Sequence, residues 1–133
     1  MTDNSLAEEG FEGSQLFDFM RSVVEDDPEL KKKSIQKVNA VTVITLKNAK
    51  GNTKSWLLDF KKSGEVTKLE GKPPKAELQL QMRDVDFIKL INNEANPQRM
   101  YMAGKLKIKG NIVKAASIEP FLRSVDPREK AKL

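Results

Sequence analysis

The side chains that most often perform covalent chemistry are scarce in this sequence. Its 133 residues include no cysteine and no histidine, the usual nucleophiles, general bases and metal ligands near neutral pH. A hydrolytic site would need a serine–lysine pair, yet no nucleophile elbow or other catalytic serine motif occurs. Disulfides and thiolate metal sites are excluded. The sequence therefore predicts a protein that is not an enzyme and holds no metal or cofactor.

Asp84 and Asp86 come nearest to a pair of catalytic carboxylates. Residues two apart on a helix do not face each other, and acidic side chains in a first turn are explained by capping and the helix dipole. We expect Asp84 to cap a helix. Gly104 and Gly110 flank a predicted strand instead of leading from strand to helix, so they do not form a phosphate-binding loop.

Charge is distributed unevenly along the chain. Residues 1–30 carry nine carboxylates and one arginine, whereas the remainder carries 23 lysines and arginines against 10 carboxylates. Such a surface suits nucleic acid, anionic lipid headgroups or a small anion, or it simply solvates the protein. Aromatic residues are only 6%, and the basic strand KLKIK has no stacking ring, so we expect no nucleic-acid partner.

Length and composition fit one intracellular globular domain. No apolar run approaches the roughly 20 residues that span a bilayer, and the acidic amino terminus lacks the features of a secretory signal. We predict a flexible acidic leader over residues 1–13, a folded domain over residues 14–124 and a flexible tail over residues 125–133.

Apolar spacing predicts the elements of this domain. A first helix begins after Ser14 as N-cap, and Asp27 caps a short second helix that starts at Pro28. Two further short helices begin at Asp84 and at Asn96-Pro97, and a last helix follows Gly110-Asn111. Predicted strands are Val38–Lys47, Thr53–Phe60, Val66–Leu69, Ala76–Met82 and Lys105–Lys109. Because the strands alternate polar and apolar residues, we predict an α+β fold with helices on one face of the sheet.

Two segments resemble the sterol carrier, or nonspecific lipid-transfer, family. They are AELQLQMRDVDFIKLI and NPQRMYMAGKLKIKGNIVKA, and SWLLDF matches the tryptophan-bearing second strand of that family. The likeness covers about residues 14–122 and points to a stand-alone peroxisomal member of fungal type. Tyr101 and Met102 stand where relatives often have two phenylalanines, which bears on pocket shape and ligand preference.

The resemblance implies a five-stranded mixed sheet, helices on one face and an apolar tunnel between them. The ligands it implies are fatty acids, fatty acyl-CoA, phospholipids or sterols, with no enzymatic activity. On this basis we expect the tunnel lining to include Leu16, Phe17, Met20, Val24, Ile44, Trp56, Leu58, Leu80, Met82, Phe87, Ile91, Met100, Met102, Leu106 and Ile108.

The last residues, Ala131, Lys132 and Leu133, have the form of a peroxisomal targeting tripeptide. They predict a peroxisomal matrix location and an import receptor as partner. Delivery of lipid would involve β-oxidation enzymes and transient contact with membrane surfaces. An alternative function is a protein-binding stabiliser or scaffold of those enzymes.

Overall fold

A mixed five-stranded sheet forms the centre of the fold in the computed structural model, which describes residues 5–71 and 73–124. The elements in chain order are a 3-10 turn Glu12–Ser14, α1 Gln15–Asp26, α2 Pro28–Val38, β1 Ala40–Lys47, β2 Thr53–Phe60, β3 Val66–Leu69, β4 Leu78–Arg83, α3 Asp84–Ile91, α4 Pro97–Met102, β5 Lys107–Gly110 and α5 Ile112–Ser124. None of the described helices is long and apolar enough to cross a membrane.

The strand order is β3-β2-β1-β4-β5. β1 and β4 are parallel, and the other neighbouring pairs are antiparallel. Leu78, Leu80 and Met82 of β4 are buried on the face that the helices cover, while Gln81 is exposed on the opposite face. The α+β class and the five-stranded mixed sheet are therefore confirmed.

Local hydrogen bonds explain where several helices begin. The Asp27 side chain accepts a bond from the Leu30 amide at 3.1 Å, and Asn96 accepts one from the Arg99 amide at 3.1 Å. Asn111 accepts bonds from the amides of Val113 and Lys114 at the start of α5. Each side chain satisfies amides that have no partner within their own helix, as predicted for Asp27 and Asn96.

The position of the Ser14 cap is confirmed, whereas the cap predicted at Asp84 is wrong. Ser14 is the N-cap residue of α1, but its hydroxyl makes no capping bond, because it accepts a bond from the Glu8 amide at 2.8 Å and donates to the Phe11 carbonyl at 2.7 Å. The preceding 3-10 turn buries this hydroxyl beneath the amino-terminal segment. Asp84 is the first residue of α3, after the N-cap residue Arg83, and it accepts a bond from the distant Glu12 amide at 3.1 Å.

The segment of residues 5–13 packs on the domain and is not a loose leader. Leu6 and Phe11 are buried, and the Trp56 indole N–H donates to the Leu6 carbonyl at 2.7 Å. Asp18 accepts bonds from the Ser5 hydroxyl at 2.6 Å and the Leu6 amide at 2.7 Å. Burial of Leu6 and Phe11 holds this segment against the domain, although its acidic composition predicts a flexible leader. Residues 1–4 and the predicted tail 125–133, with its targeting tripeptide, lie outside the described residues.

Candidate functional site

One row of side chains crosses the helix-covered face of the sheet. Strand register aligns Trp56 of β2 with Ile44 of β1, Ile44 with Leu80 of β4, and Leu80 with Ile108 of β5. Neighbouring strands lie about 4.8 Å apart, so the row spans roughly 15 Å. The packing above the row differs between its two ends.

At the β1–β2 end the interior is filled by aromatic rings. The Phe17 ring stacks on Trp56 with centroids 4.4 Å apart and on Phe87 with centroids 4.8 Å apart. All three side chains are fully buried, as are Ile44 and Leu58. Stacked aromatic packing of this kind leaves no room for a ligand.

At the β4–β5 end the interior contains a cavity of about 130 Å³, which we call the apolar cavity. It lies between these two strands and the helices α3, α4 and α5, and it reaches the surface. Its lining comprises Leu80, Leu90, Pro97, Gln98, Tyr101, Leu106, Ile108, Ile112, Ala115, Ala116, Ile118, Glu119 and Leu122. Most of these side chains are aliphatic, so the cavity favours an apolar guest over a charged one.

Small side chains on α5 leave this space open. Ala115 and Ala116 face the cavity where a longer aliphatic residue would fill it. Pro120 lies inside the same helix and cannot donate the backbone hydrogen bond that would reach the carbonyl four residues earlier. The helix that closes the cavity therefore has one internal bond fewer than a regular helix.

The apolar cavity is smaller than a typical ligand site. Pockets for small molecules usually enclose about 300–1,000 Å³, whereas this one encloses about 130 Å³. Among the described residues, the apolar cavity is the space whose position and apolar lining correspond to the tunnel that the resemblance implies. A long alkyl chain would have to widen it.

Exposed apolar side chains surround the opening, and we call Tyr101, Met102, Ile112 and Val113 the apolar rim. Tyr101 and Ile112 line the cavity, while Met102 and Val113 are their neighbours and are 85% and 76% exposed. Met102 was predicted to line the tunnel. It points to solvent because it lies two residues, or about 200° of helix rotation, beyond the buried Met100.

The structure divides the predicted lining residues into three groups. Leu80, Leu106 and Ile108 line the apolar cavity. Met102 is exposed, and Leu16 is partly buried against the core. The remaining ones are buried in the packed core: Phe17, Met20, Val24, Ile44, Trp56, Leu58, Met82, Phe87, Ile91 and Met100.

The sequence prediction missed the contribution of α5 to the cavity. Ile112, Ala115, Ala116, Ile118 and Leu122 all line it. The available signal was the adjacent pair of alanines, Ala115 and Ala116, between the larger aliphatic residues Val113 and Ile118 of the same helix, because small side chains leave space that larger ones would fill.

The two carboxylates of α3 are each engaged and do not form a catalytic pair. Asp86 accepts bonds from the Arg83 guanidinium at 3.0 and 3.2 Å, and these bonds together with its charge raise the pKa of Arg83 above its ordinary value. Asp84 is bound to the amino-terminal segment, as described above. Within residues 5–71 and 73–124, no group of three or more carboxylates is placed to hold a metal ion.

Comparisons with known proteins agree with this architecture. The model of the SCP-2 sterol transfer family matches residues 20–123. The oleate-induced peroxisomal protein POX18 of Candida maltosa is 45% identical over 126 residues, covering 95% of this chain and 98% of the relative. A fatty acid-binding protein of Yarrowia lipolytica is 46% identical over 124 residues, covering 90% of this chain and 95% of the relative.

A solved structure shows a similar fold. The apo form of sterol carrier protein 2 from Yarrowia lipolytica superposes with a TM-score of 0.82 at 43% identity, covering 92% of this chain and 98% of that one. The similarity thus extends over nearly the whole described chain.

Proposed function

Because the chain belongs to the SCP-2 sterol transfer family, we propose that it carries fatty acids and fatty acyl-CoA and delivers them to enzymes or membranes. The observation that carries this proposal is the apolar cavity, which opens to the surface between α4 and α5. The Yarrowia relative named as a fatty acid-binding protein supports the choice of ligand.

Burial of an alkyl chain supplies the binding free energy. Each methylene removed from water contributes about 0.8 kcal/mol, or roughly 10 kcal/mol for a long chain. Association and ordering of the partners cost several kcal/mol of this. Opening the cavity costs more, so the net affinity falls in the micromolar to nanomolar range.

The alkyl chain enters where the interior is least filled. Its end occupies the space beside Ala115 and Ala116, and α5 moves outward to admit the rest. Further methylenes then extend past Leu80 toward Ile44 along the row of aligned side chains, and they stop before the stacked rings of Phe17 and Trp56. The solid aromatic end of the row limits the depth of entry.

The polar end of the ligand stays at the opening. An ionised carboxylate left unpaired inside an aliphatic cavity would cost several kcal/mol. The polar groups of the lining belong to Gln98, Tyr101 and Glu119, and none of them carries a positive charge. The headgroup therefore lies outside the cavity.

The apolar rim is also the surface through which the protein contacts membranes. It presents Met102 and Val113 to solvent. Basic residues flank these side chains in the chain, Lys105 after α4 and Lys109 before α5. Exposed apolar side chains with neighbouring lysines suit the surface of an anionic bilayer.

The proposed compartment is the peroxisome. The Candida maltosa relative is named as a peroxisomal protein, and the tripeptide Ala131-Lys132-Leu133 has the form of the import signal. Fluorescent fusions with and without this tripeptide test the proposal in fungal cells. Cytosolic fluorescence of the intact fusion would contradict it.

Ligand binding is tested by filling the apolar cavity. In Ala115→Leu the added side chain occupies the space near β4. We therefore expect the affinity for palmitate, measured by displacement of a fluorescent fatty acid, to fall at least tenfold. Ala49→Leu makes the same change in the exposed β1–β2 turn and should bind like the parent. Native mass spectrometry of gently purified parent should show bound lipid. Absence of lipid by both methods would overturn the proposed function.

Membrane contact is tested separately with vesicles. Met102→Ser combined with Val113→Ser should reduce cosedimentation with phosphatidylserine-containing vesicles several-fold, because two exposed apolar contacts are lost. Val85→Ser removes another exposed aliphatic side chain, on α3, and should leave cosedimentation unchanged. Equal losses in both proteins would contradict a specific role for the rim.

A further inference from the structure

A second concave surface lies beyond the end of β4 and is lined by four cationic side chains. It encloses about 230 Å³, and its basic residues are Lys47, Arg83, Lys105 and Lys107. The other lining residues are Gln81, Met82, Asp86 and Gly104. We call this surface the basic pocket.

Strand register brings these cations together from separate parts of the sequence. Lys47 at the end of β1 is aligned with Arg83 at the end of β4, and Gln81 of β4 is aligned with Lys107 of β5. Gly104 has a φ of +78°, a conformation that glycine adopts without strain. That turn leads the chain from α4 into Lys105 and β5.

The segment of residues 105–108 separates the basic pocket from the apolar cavity. Lys105 and Lys107 line the basic pocket, whereas Leu106 and Ile108 line the apolar cavity. This alternation is the period-two geometry of an extended chain. The two sites therefore share one wall that is a single strand thick.

The basic pocket carries an excess of uncompensated positive charge. Asp86 is its only carboxylate among the described lining residues, and it is bound by Arg83. Within residues 5–71 and 73–124, the ammonium groups of Lys47, Lys105 and Lys107 form no hydrogen bond or ion pair. At the opposite edge of the sheet, by contrast, Lys68 of β3 pairs with Glu8 at 3.2 Å.

The three lysines that have no partner in the described part of the chain, beside the Arg83–Asp86 pair, repel each other unless an anion lies between them. A phosphate group accepts hydrogen bonds from several ammonium groups at once, and a concave site concentrates the attractive field. A lysine-rich edge strand can also serve only to prevent pairing with another sheet. That explanation covers Lys107 on the edge strand β5, but it does not cover Lys47 and Arg83, which lie at the ends of interior strands.

We propose that the basic pocket binds the phosphate groups of a ligand whose alkyl chain occupies the apolar cavity. This inference rests on the proposed function and identifies the headgroup site that the apolar cavity lacks. The shared chemistry is a phosphate ester joined to an alkyl chain, as in fatty acyl-CoA or a phospholipid. Such a ligand passes from the cavity over the wall of residues 105–108.

The test compares ligands with and without phosphate. The basic-pocket variant combines Lys47→Gln, Lys105→Gln and Lys107→Gln. The control combines Lys50→Gln, Lys62→Gln and Lys75→Gln, which removes the same charge from exposed positions outside the pocket. Circular dichroism and thermal unfolding check that both proteins fold like the parent. The probes are palmitate, palmitoyl-CoA and lysophosphatidic acid.

The dissociation constant for palmitoyl-CoA should rise at least tenfold in the basic-pocket variant, while that for palmitate changes less than threefold. The control should bind all three probes like the parent. A loss confined to palmitoyl-CoA assigns the pocket to the CoA phosphates, and a loss confined to lysophosphatidic acid assigns it to phospholipid headgroups.

Failure of this inference is distinguishable from failure of the proposed function. Equal weakening of palmitoyl-CoA and lysophosphatidic acid binding in the variant and the control would show a general charge effect and would overturn it. Unchanged binding of both probes by the variant would overturn it as well. In either case palmitate binding by the parent preserves the carrier function, whereas a parent that binds none of the probes refutes the carrier function itself.

Discussion

Gly110 is a single residue on which the pairing of β4 with β5 depends. Its φ is +109°, and a Cβ built there would overlap the Glu77 carbonyl oxygen. It is aligned with Leu78 in the ladder, so the clash cannot be relieved without separating the strands. Any side chain at this position would disturb the wall that the two proposed sites share.

Gly110→Ala should therefore lower the free energy of unfolding by about 3 kcal/mol or more, because strain and lost pairing add together. Gly51→Ala is the matched control, since its φ is +87° but nothing lies within 4 Å of the new methyl group. It should cost about 1–2 kcal/mol from backbone conformation alone. Urea unfolding measures both values, and equal losses would contradict the role of the clash.

Asp59 organises the turn between β2 and β3. Its carboxylate accepts bonds from the amides of Lys61 at 3.1 Å and Lys62 at 3.0 Å, and from the Ser63 hydroxyl at 3.0 Å. Burial acts to raise its pKa, but these bonds outweigh that effect and hold the pKa below its ordinary value. The folded state therefore favours the ionised carboxylate.

This pKa shift predicts a pH-dependent contribution to stability. Because folding lowers the pKa of Asp59, its carboxylate stabilises the fold fully at pH values above its unfolded-state pKa of about 4. This contribution is lost as the pH falls through the pKa of the folded state. Asp59→Ala should lower the free energy of unfolding by about 1 kcal/mol at pH 7, and less at pH 3. Asp59→Asn retains an acceptor oxygen and should lose less. A difference from the parent that stays constant from pH 7 to pH 3 would refute this explanation.

Among the elements, α5 closes the apolar cavity and is the one that we expect to move. Its first turn exposes Ile112 and Val113, its cavity face carries two alanines, and Pro120 removes one of its internal bonds. β1 lies in the middle of the sheet, paired on both sides. Opening at the surface helix should therefore require less free energy than opening in the sheet.

Hydrogen–deuterium exchange tests this difference. Palmitate should slow amide exchange in α5 markedly and leave β1 and β2 unchanged, because a bound chain holds the helix against the sheet. In Ala115→Leu, palmitate should have little effect on α5. Equal protection of all elements by palmitate would indicate global stabilisation without local opening.

The sequence was sufficient for elements with a strong local signal. The bounds of β2 and β3 agree with the β-branched and alternating runs, and Asp27 and Asn96 cap their helices as predicted. The sequence prediction failed where the hydrogen-bond partner of a side chain is distant in the chain, as for Asp84, which accepts a bond from an amide 72 positions away. The cavity depends on packing between α5 and the sheet, which periodicity does not encode. For that reason only Leu80, Leu106 and Ile108 of the predicted lining residues reach it.

At the scale of the whole molecule, ligand binding and folding are linked. A ligand that binds only the folded state adds about 2.7 kcal/mol of stability at 100 times its dissociation constant. Palmitate at that excess should raise the unfolding midpoint of the parent in urea and leave Ala115→Leu nearly unchanged. An equal rise in both would mean that palmitate stabilises the protein without entering the cavity.

The position of Trp56 provides an intrinsic optical probe of the protein. It is the chain's single tryptophan, and it is held between the Phe17 ring and the Leu6 carbonyl in the packed half of the interior. Its emission should shift to longer wavelength when residues 5–13 detach or the domain denatures, yet stay constant while palmitate is titrated. Fluorescence of this indole can therefore monitor folding during lipid loading without interference from the lipid.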